Sequence, residues 1–132
     1  MKKKIVIFGG SSGLAIDLSI RLSKDFYVIN ISSKSTNLNH KNIKEIKIDK
    51  YSEEEISKII FSLSKQAEHI FLFMNGITDS KAFYKMGNEE ISHIIKVNYE
   101  LPVIITNIII KNFILQKTKY IYFSSSRALL GD

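Results

Sequence analysis

Short apolar runs rich in isoleucine, valine and phenylalanine alternate along the chain with longer stretches of helical period. Residues 4–8 (Lys4-Ile5-Val6-Ile7-Phe8) predict a first strand, and Leu14, Leu18 and Leu22 mark one face of a helix over 14–24. A second strand is expected at 26–31, followed by a polar loop over 32–42 that carries no helix signal. The alternating run at 43–48 suits an edge strand. Ser52-Glu53-Glu54-Glu55 then opens a helix, with Ser52 as N-cap and Glu55 in the capping-box position, continued by Ile56, Ile59, Ile60 and Leu63. The Ile70-Phe71-Leu72-Phe73 run within a strand over 69–74 implies burial on both faces. Helices over 89–97 and 101–115, the second with Pro102 in its first turn, lead to a fifth strand at 119–123.

Five strands alternating with helices imply right-handed crossovers and a parallel α/β sheet covered on both faces. The expectation is a single Rossmann-type, doubly wound, three-layer α/β/α domain over residues 1–132. Ligands of such sheets bind outside the carboxyl ends of the strands. Polar and small residues collect there: Gly9 to Gly13, then Ser32, Ser33 and Lys34, then Asp49, Asn75 and Gly76, and finally Ser124 to Ser126. The first of these, Gly9-Gly10-Ser11-Ser12-Gly13-Leu14, passes from a strand straight into a helix. Glycines permit the sharp turn, small residues let a pyrophosphate approach bare N–H groups, and the helix adds the positive end of its dipole.

Composition narrows the partners. The net charge of +6 comes almost entirely from lysines spread along the chain, with Arg21 and Arg127 the only arginines. Nucleic-acid interfaces favour clustered arginine forks and aromatic platforms, so a solvated lysine surface is expected, with no nucleic acid bound. The absence of cysteine removes disulfides, thiolate metal sites and cysteine nucleophiles. The apolar run behind Lys2-Lys3-Lys4 is too short for a signal peptide. The greasy segment 101–115 is interrupted by Thr106, Asn107, Lys111 and Asn112, short of the roughly 20 apolar residues that a bilayer span needs. A cytoplasmic protein without membrane attachment is expected.

Taken together, these positions resemble the short-chain dehydrogenase/reductase family from Lys4 to the last residue. That family's first loop reads Thr-Gly-x-x-x-Gly-x-Gly; here Gly9 and Gly13 keep the first two glycines, Ala15 takes the third position and Phe8 replaces the threonine. The resemblance implies cofactor contacts from Gly9, Ser11, Ser12, Gly13 and Leu14. It places Asp49 against adenine and Asn75-Gly76 in the turn beside the adenosine. Asn98, in Val97-Asn98, matches the asparagine that holds a water of the family's proton relay. Ser125 matches the catalytic serine that orients the substrate oxygen, with Ser126 as the alternative if the turn is shifted. An acid after the second strand would favour NAD by accepting from the ribose 2′-hydroxyl. Ser32-Ser33-Lys34 has none, which favours NADP, with NAD possible.

The implied activity is interconversion of a carbonyl and an alcohol on a small-molecule substrate. The family's general acid, in Tyr-x-x-x-Lys, has no counterpart here: none of Tyr27, Tyr51, Tyr84, Tyr99, Tyr120 or Tyr122 is followed four residues later by lysine. The chain is therefore expected to be the N-terminal, cofactor-binding part of a longer reductase, with its fifth strand at an exposed edge and no turnover of its own. A non-catalytic dinucleotide-binding protein is the alternative. An epimerase of nucleotide sugars fits less well, because Ile16 stands where its Gly-x-x-Gly-x-x-Gly loop needs glycine. The apolar helix 101–115 is expected either to pack two copies together, as in the family, or to be buried within one chain.

Overall fold

The computed structural model describes residues 3–63, 67–74, 76, 83–114 and 117–123. Among them lie five strands: β1 (Lys4–Phe8), β2 (Tyr27–Ser32), β3 (Ile43–Lys47), β4 (His69–Phe73) and β5 (Thr118–Tyr122). The helices are α1 (Gly13–Leu22), α2 (Glu53–Ser62), α3 (Asn88–Ile95) and α4 (Leu101–Phe113). The sheet is entirely parallel in the order β3-β2-β1-β4-β5. The expected doubly wound α/β sheet is therefore present, with β3 and β5 at its edges.

Two cores sandwich the sheet. On one face, Val6, Phe8, Ile29, Ile31, Phe71 and Phe73 pack with Ile56, Ile59 and Ile60 of α2 and Ile105, Ile108, Ile109 and Phe113 of α4. On the other, Ile5, Ile7, Val28 and Leu72 meet Ala15, with Leu18 and Leu22 against them. Alternate residues of β1 and β4 thus serve opposite layers, which is why both strands read as unbroken apolar runs.

Three local expectations change. Leu14 does not join the inner stripe of α1 and is 62% exposed, whereas Ala15 and Ser19 are buried. Small residues let this helix lie close to the sheet, and Ser19 covers its hydroxyl by donating to the Ala15 carbonyl at 2.7 Å. The capping box of α2 is half formed. Ser52 Oγ accepts from Glu55 N–H at 3.2 Å, but the Ser52 N–H donates to the Lys50 carbonyl. Finally, α3 and α4 are not separate helices: a π turn over Lys96–Glu100 joins them into one helix, Asn88–Phe113.

At 26 residues that helix is long and apolar enough to cross a membrane by length and composition alone, contrary to the expectation from 101–115 taken separately. Its inner residues, however, are committed to the core beside α2. Val103, Ile104, Ile110 and Ile114 remain exposed, so the α4 part is buried on one side and carries apolar residues on the other, whereas Asn88–Glu100 has no buried residue.

His69 begins β4 beneath this layer and is 1% exposed, with its ring 5.8 Å from Phe71 and 5.1 Å from Phe113. Burial pushes its imidazole below the ordinary histidine value, and the nearby Lys4 charge adds to the effect. The fold therefore favours neutral His69. Its contribution is complete above the unfolded-state pKa of about 6.5 and declines as pH falls through that value, by up to about 1.4 kcal/mol per pH unit. Between pH 7.5 and pH 5, His69→Phe is expected to lose less stability than the parent chain in urea titrations; parallel losses would contradict this.

Candidate functional site

The carboxyl end of β1 turns at Gly9, whose φ of 81° lies in the left-handed region that glycine adopts at little cost. Gly9 N–H and Gly10 N–H both donate to the Ile31 carbonyl at the end of β2, at 3.0 and 3.1 Å. Gly10 is required for space. A Cβ there would lie 1.2 Å from Asn30 Oδ1, on a side chain whose Nδ2 donates to the Gly10 carbonyl at 3.1 Å. Asn30 is 1% exposed in the middle of β2, and its Oδ1 has no hydrogen-bond partner among the described residues.

A third contact ties this turn down. Tyr51, in the loop between β3 and α2, donates its hydroxyl proton to the Ile31 carbonyl at 2.9 Å and accepts from Gly9 N–H at 2.8 Å. Ser12 then caps α1, its Oγ accepting from Ala15 N–H at 3.2 Å. Gly13, the first residue of α1, differs from Gly9 and Gly10. Beyond its chain neighbours and the backbone of its own helix, no described atom lies within 4 Å of the position its Cβ would take, and its φ is not in the left-handed region. Neither packing nor backbone conformation demands a glycine at 13.

These strand ends enclose a cavity of about 750 Å³. Gly9, Ser11, Ser12, Ser32, Ser33, Lys34, Asp49 and Gly76, all expected at a binding site, line it. Lys50, Tyr51, Ser52, Met74, His93, Lys96, Val97 and Leu101 line it too and were not expected to. His93, Val97 and Leu101 recur every four residues, which sets one stripe of the long helix as the far wall. Gly13 and Leu14 lie beside the cavity without lining it. Ser32 Oγ donates to the Lys34 carbonyl at 2.5 Å, so this hydroxyl closes its own turn, while Ser33 and Lys34 are exposed at the rim. Asn98 sits within the π turn, its Oδ1 placed 3.8 Å from where a Cβ on Gly76 would be. π turns inserted in α-helices recur at functional sites. Asn75, Ser125 and Ser126 lie outside the described residues.

No family model matches the sequence, and no curated protein matches it. Solved structures do. ElxO with NADP bound superimposes on all of this chain with a TM-score of 0.85 at 20% identity. A short-chain dehydrogenase from Leptospira borgpetersenii with bound NAD+ matches 98% of it with a TM-score of 0.82 at 21% identity. The fold is that of the short-chain dehydrogenases/reductases. A 4-hydroxyisoleucine dehydrogenase complexed with NADH matches equally well, at 0.82 over 98% of the chain and 23% identity. The chain spans 59%, 54% and 59% of these three proteins. On this fold the cleft at the carboxyl ends of β1, β2 and β4 is the described cavity, and residues 30 and 51 are what the glycine motif alone did not disclose.

The tight fit of Gly10 against Asn30 predicts that Gly10→Ala destabilises the chain by about 1–3 kcal/mol. Asn30→Ala should recover part of that loss in the double variant. Additive losses in urea titrations would show that the two positions do not share the space.

Proposed function

We propose that this cleft binds NADP(H), with NAD(H) the weaker ligand, and that the chain is the cofactor-binding part of a short-chain oxidoreductase interconverting a carbonyl and an alcohol. The observation that carries the proposal is Gly13: a glycine with open space above it, at a helix N-terminus, just after a turn pinned by four hydrogen bonds at Gly9 and Gly10. Leaving that space empty is what a pyrophosphate needs from the first turn of a helix.

In this account the amides entering α1 hold the pyrophosphate, and Asp49 with Gly76 and Asn75 borders the adenosine. Ser33 and Lys34 receive the 2′-phosphate, the ammonium supplying charge and the hydroxyl a donor. The cofactor supplies hydride transfer to or from the substrate carbon. Ser125, or Ser126, orients the substrate oxygen and stabilises the charge developing on it. Asn98 holds a water for proton relay from the π turn. The exposed residues Val103, Ile110 and Ile114 join two copies of the chain, and the protein works in the cytoplasm on a small-molecule substrate.

Titration with NADPH, followed by its fluorescence, tests the cofactor directly. NADPH is expected to bind at least tenfold more tightly than NADH, and Lys34→Ala to reduce that ratio about tenfold. Gly13→Ala should leave thermal stability unchanged or slightly raised yet weaken both dinucleotides. Binding of neither dinucleotide by the folded chain would refute the proposal. Sedimentation equilibrium tests the association: Ile110→Glu is expected to shift the parent protein toward monomer, and an unchanged mass would remove this helix from the interface.

A further inference from the structure

Tyr51 belongs to neither the glycine turn nor the strand it touches, yet its hydroxyl joins both. Its ring is half-buried against the core beneath the sheet end, and the hydroxyl bridges Gly9 N–H at 2.8 Å and the Ile31 carbonyl at 2.9 Å. Both sides of Tyr51 are anchored. Lys50 accepts from Ser52 N–H at 2.9 Å, and Ser52 caps α2. The phenol therefore reaches the turn from a fixed base and lines the cavity from below.

Gly9 needs such a restraint. Glycine reaches a φ of 81° cheaply but has no strong preference for it, so the sequence of the turn alone does not hold its direction. Gly9 N–H is shared between Ile31 and Tyr51, and Gly10 N–H returns to the same carbonyl. Of these tethers, only the phenol comes from outside β1 and β2.

Resting on the dinucleotide reading above, we propose that Tyr51 is a positioning residue for the cofactor: it pins Gly9 to the end of β2 and so holds the following amides at the spacing a pyrophosphate requires. It acts on the turn shared by all dinucleotides and not on the 2′-phosphate. Its loss should therefore weaken NADPH and NADH alike.

Tyr51→Phe keeps the ring and removes both hydrogen bonds. Its dissociation constants for NADPH and for adenosine 2′,5′-bisphosphate are expected to rise about tenfold, with the NADPH-to-NADH ratio within twofold of the parent value. A purely structural role would lower the melting temperature and leave these constants within twofold, which overturns the proposal. If the parent chain binds NADPH and the variant binds it equally well, the positioning role alone fails; if the parent binds no dinucleotide, the cofactor reading fails and this role with it. The parent chain supplies a second test that needs no variant. Its Tyr51 hydroxyl proton should exchange slowly in NMR spectra, show a nuclear Overhauser contact to the Gly9 amide, and slow further on saturation with NADPH. A fast-exchanging phenol, or exchange indifferent to NADPH, contradicts the proposal.

Discussion

The structure depends on the parallel register of β1 between β2 and β4. Phe8 pairs with both Ile31 and Phe73, so three strands finish level and their next residues emerge at one edge. β1 is apolar on both faces, and a slip of one residue would not expose a polar side chain, so hydrophobicity alone does not set this register. Ring size does. Phe8 stacks 5.3 Å from Phe73, Phe73 stacks 4.6 Å from Tyr122, and Phe71 stacks 6.0 Å from Tyr120, all on the α2/α4 face. On the opposite face Ala15 and Ser19 of α1 lie close to the sheet, which leaves shallow room beneath them. Moving the aromatic row there would overfill it.

That level edge has a chemical consequence. The Ile31 carbonyl, which faces β1 at the end of β2, gathers Gly9 N–H, Gly10 N–H and the Tyr51 hydroxyl. The turn is thereby fixed before any ligand arrives, and Ser12, which lines the cleft, caps the start of α1. Preorganised donors of this kind spare the ligand the ordering cost that a loose loop would impose. The far wall, from His93 to Leu101, belongs to a helix that its α4 part anchors in the core through Leu101, Ile105, Ile109 and Phe113.

Much of this was legible in the residues themselves. β-branched and aromatic runs marked every strand to within a residue or two, most plainly in the central β1 and β4, which are buried on both faces. Glycines and serines interrupt those runs at one sheet edge, and the cavity opens there. What escaped detection depends on contacts between distant segments. Leu18 and Leu22 pack against the sheet as their spacing predicts, yet the close approach of α1 seats Ala15 and Ser19 innermost and leaves Leu14 exposed. The sequence around Asn98 reads as the break between two helices, and a π turn continuing into α4 needs the backbone to be seen. Asn30 and Tyr51 read as an ordinary strand residue and an ordinary loop aromatic. The only trace of their roles was a buried amide in an apolar strand and a ring in an otherwise polar loop.

The central claim is that the carboxyl edge of this sheet is a dinucleotide site whose donors are already in place. Amide chemical-shift mapping of the folded chain during an NADPH titration tests it most directly. The account predicts large shifts confined to Gly9 through Gly13, Ser32 through Lys34, Asp49 and Gly76, with β1 interior amides and His69 at the opposite edge unmoved. Shifts centred on the His69 edge, or spread through the strands as the fold rearranges, would contradict it.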